Sequence, residues 1–227
     1  MGTTSRRDYR IVVVDDHALF RESLELTLAI EGYDVRTVAV PDDDMSADSL
    51  VSRVLRLRPR LVLLDLDLGS AGDGVALVEP LARAGVDVVV LTAVADRSRW
   101  GEAVRSGARK VLSKGGPLRE CLAVVRRLQQ GLAVTTVEER ESLIRHFIDE
   151  RAQAHDLRRR ISALTTREAQ VLGQLMLGRT AREIAVSWRV SEATVRTQVK
   201  AVLAKLQVSS QVAAVGLARQ VGWCAPD

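Results

Sequence analysis

Apolar residues are distributed in two different ways along this chain. In the first part they form short runs at residues 11–14, 61–64, 88–91 and 111–112, each closed by a polar residue. Runs of this length, bounded by turn residues, read as strands buried on both faces of a parallel sheet. Residues 34–38 add a further strand. Between the runs lie helical stretches. Residues 17–31 carry Leu19, Leu24, Leu28 and Ile30 at near-helical spacing and end at Gly32. Residues 46–57 turn Leu50, Val51, Val54 and Leu55 inward, and residues 74–84 and 96–106 follow the same rule. Pro117 opens the next helix in its first turn, where a missing N–H costs nothing, and that helix runs to about residue 130.

Strands alternating with helices, joined by right-handed crossovers, predict a five-stranded α/β sheet of flavodoxin-like (βα)5 order 2-1-3-4-5. Residues 131–136 break the pattern and mark a boundary. From 137 to 160 the chain is highly charged, with Ile144, Phe147, Ile148, Ala152, Leu157 and Ile161 at three- and four-residue steps. This is a connecting helix that lies on one domain or pairs with a second chain. The remainder is all-α. In Leu164-Thr165-Thr166-Arg167-Glu168, a hydroxyl followed by Glu168 predicts a capped helix with Val171, Leu172 and Leu175 inward as far as Gly178. Thr180 caps a second helix holding Ile184, Ala185 and Trp188. Ser191 caps a third, residues 192–206, with Val195, Val199, Val202 and Leu206 buried. A fourth follows over 209–221. The division is therefore residues 8–130, a helical linker at 131–160, and a four-helix domain at 161–227.

Two short helices, a tight turn and a longer third helix form a helix-turn-helix. The face of the third helix toward its N-terminus offers Thr194, Arg196, Thr197, Gln198 and Lys200, side-chain types that read base edges or phosphates in a major groove. Charge strengthens that reading. Residues 161–227 hold eight of the 33 Lys and Arg but only four of the 29 Asp and Glu, so the whole formal charge of +4 belongs to this segment. Its predicted partner is DNA. Arg158, Arg159 and Arg160 form either a solvated helix face or a further phosphate contact.

Aromatic residues make up only 3% of the chain, so Val, Leu, Ile and Ala must build the cores. No apolar stretch reaches membrane-spanning length, and no apolar segment follows Arg6 and Arg7 as a secretory signal would require. Cys121 and Cys224 lack metal-ligand spacing and read as reduced thiols. A cytoplasmic protein without membrane contact is the expectation.

The strand ends carry the chemistry. The first run ends in Asp15-Asp16, the third strand in Asp65-Leu66-Asp67, the fourth in Thr92 and the fifth in Ser113-Lys114. Parallel strands put these groups on one edge, where open α/β sheets bind ligands. Clustered carboxylates repel unless a cation joins them, and hard oxygen donors in a wet site suit Mg²⁺. With a lysine and a hydroxyl beside them, such a site can hold a phosphoryl group, and Asp65 would be the nucleophile that accepts it. His17, next to two aspartates, could serve as a metal ligand but reads first as a helix-start residue in solvent; Pro41-Asp42-Asp43-Asp44 reads as a solvated acidic turn and Trp100 as packing.

At these residues the chain resembles the receiver domain of two-component response regulators, over roughly residues 8–130. The resemblance implies that Asp65 is the phosphoacceptor, that Asp15, Asp16 and Asp65 hold Mg²⁺ with the backbone carbonyl of Asp67, and that Thr92 and Lys114 contact the phosphoryl oxygens. Four features depart from the family. Leu68-Gly69 replaces the usual Met-Pro, Asp73-Gly74 comes one residue late, Gly115-Gly116 precede Pro117, and Val111 stands where an aromatic switch residue is usual. Residues 161 to about 221 resemble the LuxR-type DNA-binding domain through Leu164-Thr165, Arg167-Glu168, Val171-Leu172, Gly178, Glu183-Ile184-Ala185, Val190-Ser191, Thr194-Val195-Arg196 and Lys205-Leu206. Gln198 and Trp188 stand where histidine and leucine are commoner.

Together the two domains resemble the NarL/FixJ group. This implies a transcription regulator, not an enzyme, loaded by a sensor histidine kinase and active as a homodimer. Two other readings fit parts of the sequence. Asp65-Leu66-Asp67 also looks like the Asp-x-Asp motif of haloacid-dehalogenase phosphatases, although those place it near the domain start and need an acidic pair far downstream. A receiver-like domain regulated without phosphorylation is the second, favoured by Val111 and the altered loop and disfavoured by the intact acidic site.

Overall fold

The computed structural model describes residues 5–40, 46–69 and 72–225, so the acidic turn at Pro41-Asp44 lies outside the described residues. The chain forms two compact units, residues 1–148 and 149–227. In the first, strands β1 (Arg10–Asp15), β2 (Asp34–Ala39), β3 (Leu61–Asp65), β4 (Asp87–Thr92) and β5 (Lys110–Ser113) alternate with helices α1 (Ala18–Ile30), α2 (Ala47–Arg56), α3 (Val75–Arg83), α4 (Arg97–Ser106) and α5 (Leu118–Gln129). The sheet has the order β2-β1-β3-β4-β5 with every pairing parallel, as the alternation predicts.

The strands' twofold period divides the core in two. Val12, Val14, Val62, Leu64, Val88 and Val90 pack on one face with α2, α3 and α4. Ile11, Val13, Leu61, Leu63, Val89 and Leu91 pack on the other with α1 and α5. All five residues of β3 are buried. Each apolar side chain buried there contributes about 1.5–3 kcal/mol. The register sets Asp65 opposite Leu91 and Thr92 opposite Ser113, so the strand ends are level.

Three expectations need correction. In α1 only Leu24 and Leu28 are buried, while Leu19 and Ile30 are 84% and 77% exposed. At about 100° per residue, both lie more than about 100° around the helix from Leu24. Pro117 is the extended cap residue of α5 and precedes its first turn. The linker periodicity does not form one stripe. Helix α6 (Val137–Ser162) buries Leu143 and Phe147 in the first unit and Leu157 and Ile161 in the second, leaving Ile148 and Ala152 exposed between. Leu143 belongs to the sheet core, and Gly101 of α4 lies so close that a Cβ there would collide with the Leu143 carbonyl.

The second unit contains α7 (Thr166–Met176), α8 (Ala181–Trp188), α9 (Glu192–Leu206) and α10 (Gln211–Gln220). Thr165 with Glu168 and Thr180 with Glu183 form reciprocal capping boxes, and Ser191 and Ser210 cap the last two helices. Val195, Val199, Val202 and Leu206 of α9 are buried. Trp188 is half-buried, with the Arg167 guanidinium 3.6 Å from its ring centroid. Trp100 packs against the sheet core and donates its indole N–H to the Val94 carbonyl at 3.0 Å.

Candidate functional site

Asp15 and Asp65 end adjacent strands and are 1% and 2% exposed. Lys114 Nζ, reaching in from beyond β5, lies 2.5 Å from Asp65 Oδ2 and 2.8 Å from Asp15 Oδ2. Burial pushes the Asp65 carboxyl up, against the pull of the Lys114 ammonium and of the Asp67 N–H, and the net direction is upward. For Lys114 burial acts downward, but hydrogen bonds to Asp15 and Asp65 outweigh it and the ammonium is stabilised. The Lys114 ammonium also sits 4.9 Å from the Phe20 ring centroid. One cation thus bridges two buried carboxylates.

Asp16 is exposed beside them. Oxygen or nitrogen atoms of Asp15, Asp16, His17 and Asp65 all lie within 4.8 Å of one another. Three carboxylates converging on a wet edge form a hard-donor set that fits Mg²⁺. His17 is exposed at the start of α1, as expected, but its Nδ1 also lies 2.6 Å from Asp16 Oδ1. Its backbone N–H donates to Asp15 Oδ1 at 2.9 Å. Thr92 is buried at the same edge, its hydroxyl oxygen accepting the Val94 N–H at 3.1 Å. Ser113 is exposed and turned to its own loop, accepting from the Gly115 N–H at 3.2 Å.

The Asp67 side chain does not join the cluster. It is exposed and accepts the Gly69 N–H at 3.4 Å, while the Asp67 backbone N–H donates to Asp65 Oδ1 at 3.2 Å. The longer loop after β3 is closed by its own bonds. Leu68 N–H donates to Gly72 O, Asp67 bridges to Asp73, and Leu66 and Leu68 are buried beneath. Gly74 donates its N–H to Leu66 O at 2.8 Å, and a Cβ at Gly74 would strike the Asp65 carbonyl. Val111 is buried in the same core cluster as Leu143.

Sequence reasoning missed three participants. Gly74 was legible as part of the Asp73-Gly74 pair but not as a packing requirement. Arg21, on α1, donates to the Asp15 carbonyl at 2.7 Å, and Arg99, on α4, donates to Leu66 O at 3.3 Å and to Asp73 Oδ1 at 2.8 Å. No local pattern announces either arginine.

In the second unit, Thr194, Arg196, Thr197 and Lys200 are exposed along α9, and Gln198 is half-buried. Most are already engaged. Thr194 Oγ1 shares a 2.8 Å hydrogen bond with the Ser191 hydroxyl, Thr197 donates to the Ala193 carbonyl, and Arg196 pairs with Glu192 at 2.6 Å. Lys200 has no hydrogen bond or ion pair among the described residues. Arg159 and Arg160 both pair with Asp156. Beneath α9, the buried Glu168 meets Lys205 Nζ at 2.6 Å. Burial opposes ionisation of Glu168, but Lys205 and the Thr165 N–H outweigh it and hold the carboxyl below its usual range.

Residues 11–126, just over half of the chain, match the family described as "Response regulator receiver domain". Residues 162–218 match "Bacterial regulatory proteins, luxR family". Transcriptional regulatory protein DegU of Brevibacillus brevis is 28% identical over 227 residues, covering 94% of each chain. The glycerol metabolism activator of Pseudomonas putida is 29% identical over 212 residues, covering 91% of this chain and 93% of its own. Among solved structures, the response regulator ChrA of a heme-sensing two-component system is 27% identical with a TM-score of 0.47, covering 93% of this chain and 96% of ChrA. With a parallel sheet whose edge gathers Asp15, Asp65, Thr92 and Lys114 in one unit, and a capped helix-turn-helix in the unit that follows it in sequence, the chain belongs to the two-component response regulators, as a receiver domain followed by a LuxR-type DNA-binding domain.

Proposed function

We propose that Asp65 accepts a phosphoryl group from a sensor histidine kinase and that this controls DNA binding by a homodimer in the cytoplasm. The carrying observation is the Lys114 bridge between two buried carboxylates at a level sheet edge. An Asp65 carboxylate oxygen attacks the phosphorus of a phosphohistidine. The O–P bond forms, the P–N bond breaks, and the leaving imidazole takes a proton from solvent. Asp15, Asp16 and Asp65 would hold Mg²⁺, with the Asp67 carbonyl as a further oxygen. When bound, the ion supplies charge neutralisation at the phosphoryl oxygens. Lys114 transfers its hydrogen bond from the Asp65 carboxylate to a phosphoryl oxygen, and the Thr92 hydroxyl turns from Val94 toward another.

Val111 occupies the switch position. It has no ring to move between solvent and core, so less packing energy accompanies any movement of Thr92. The receiver is assigned to residues 8–130, the linker to 131–160 and the DNA-binding domain to 161–227. On α9, Thr194, Arg196, Thr197, Gln198 and Lys200 face DNA; the exposed ammonium of Lys200 supports this, as does the match of residues 162–218 to the luxR family of bacterial regulatory proteins. The exposed Asp67 side chain, tied to Gly69, disfavours an Asp-x-Asp phosphatase, in which it would have to act on the reacting group.

Intact-mass measurement after treatment with acetyl phosphate and Mg²⁺ tests the assignment. Wild type gains one phosphoryl group and Asp65→Asn gains none. Full labelling of the variant would move the acceptor elsewhere.

A further inference from the structure

We propose that Arg99 is a positioning residue for phosphoryl uptake and that it ties the phosphoacceptor loop to α4; this rests on the reading of Asp65 as acceptor. The peptide unit joining Leu66 to Asp67 is held from both ends. Its N–H donates to Asp65 Oδ1 at 3.2 Å, and its carbonyl, Leu66 O, accepts from Gly74 N–H at 2.8 Å and from Arg99 Nη2 at 3.3 Å. The same Arg99 nitrogen is anchored on Asp73 Oδ1 at 2.8 Å. A guanidinium on the carbonyl polarises the amide and strengthens the N–H that faces the acceptor carboxylate. It also fixes the plane in which that N–H points.

Arg99 is itself fixed. Its backbone N–H is capped by Asp96 Oδ1 at 3.2 Å, and its side chain is half-buried. The next residue, Trp100, grips the other active loop by donating to the Val94 carbonyl at 3.0 Å, while the Val94 N–H donates to the Thr92 hydroxyl oxygen. Neighbouring side chains of one helix therefore hold the loop after Asp65 and the loop after Thr92. Any change in charge at Asp65 reaches the Leu66–Asp67 peptide, then Arg99, then α4. A lysine ammonium could bond to both acceptors from its one nitrogen, but it lacks the planar guanidinium that fixes the direction of those bonds.

Trp100 supplies a reporter in the full chain once Trp188 and Trp223 are replaced by phenylalanine, since the chain has three tryptophans. In that background, beryllofluoride binding at saturating Mg²⁺ is followed by ¹⁹F NMR and by Trp100 emission. The wild-type receiver is expected to bind and to shift the emission. Arg99→Ala should weaken beryllofluoride binding about three- to tenfold and abolish the shift, with Mg²⁺ affinity held within about twofold because Arg99 touches none of the clustered carboxylates. Arg99→Lys should recover part of the affinity. Unchanged affinity and an unchanged shift in Arg99→Ala overturn the proposal, as does a parallel loss of Mg²⁺ affinity, which marks general damage. Weakened binding with the shift intact overturns the tie to α4. Failure of the Arg99-intact protein to bind beryllofluoride at all overturns the Asp65 reading, and this proposal with it.

Discussion

In the proposed function the sheet edge of the receiver and the exposed face of α9 both present cations to phosphate, but they are built in opposite ways. At the edge, Asp15, Asp65, Thr92 and Lys114 come from four separate strand ends and are largely buried, and Lys114 is paired before any ligand arrives. On α9 the side chains come from one stretch of seven residues, all but the half-buried Gln198 are exposed, and the bonds of Thr194, Arg196 and Thr197 reach only near neighbours. A buried cluster draws its strength from low dielectric and from topology, so losing one member leaves the others stranded. An exposed row is screened and nearly additive, so losing one member removes about that member's share. The receiver edge should therefore respond steeply to substitution and α9 gradually.

Lys114→Met is the sharpest way to break this contrast. It strands two buried carboxylates, and the receiver should lose about 3–5 kcal/mol at neutral pH without Mg²⁺. The Asp65 carboxyl is already raised in the folded state, and losing Lys114 raises it further. A carboxyl with a raised folded pKa favours the fold below its unfolded value, and that support fades as pH rises through the folded value. The deficit should therefore shrink as pH falls toward about 4, and Mg²⁺ should restore part of it near neutrality. Urea titration across pH measures both, and a deficit independent of pH would show that the carboxylates are not the stranded groups.

Gly74→Ala tests topology rather than charge. Its Cβ would collide with the Asp65 carbonyl, so about 1–3 kcal/mol should be lost and the loop displaced. A melting temperature equal to wild type would mean that the loop yields freely.

In the second unit Lys205→Ala should cost about 1–3 kcal/mol by leaving the Glu168 carboxylate short of a donor. Here the sign is reversed. Glu168 is held below its usual range, so its contribution is present above the ordinary carboxylate value and is lost as pH falls through the depressed one. Penalties for Lys205→Ala should then vanish in acid, and a penalty that persists there would assign the effect to packing.

On α9 each substitution is expected to affect binding and leave the fold intact. Lys200→Ala should weaken operator binding by about 1–3 kcal/mol if it reads a base, or lower the salt slope by about one if it meets a phosphate. Arg196→Ala should do less, because Glu192 already engages its guanidinium. Titrations at several salt concentrations separate these outcomes, and wild-type binding by both variants would remove α9 from the interface.

The chain's own pattern determined much of this protein. Short apolar runs closed by Asp15, Asp65, Thr92 and Lys114 predicted the parallel sheet, its order and the residues at its edge. Thr180 and Ser191 marked two helix starts correctly, and a threonine hydroxyl ahead of Glu168 marked a third, with the structure choosing Thr165 over Thr166. Capping and strand burial are local or periodic, so sequence carries them directly. The tertiary structure decided the rest. Periodicity could not say which stripe of α1 faces the core, nor that α6 divides its apolar residues between two units. Nothing local marks Arg99 as a neighbour of Leu66, or Gly74 as the residue that lets α3 approach Asp65. Those are contacts between elements distant in sequence, fixed by how close two backbones come and which side chain spans the gap, and these distances exist only once the helices are packed on the sheet.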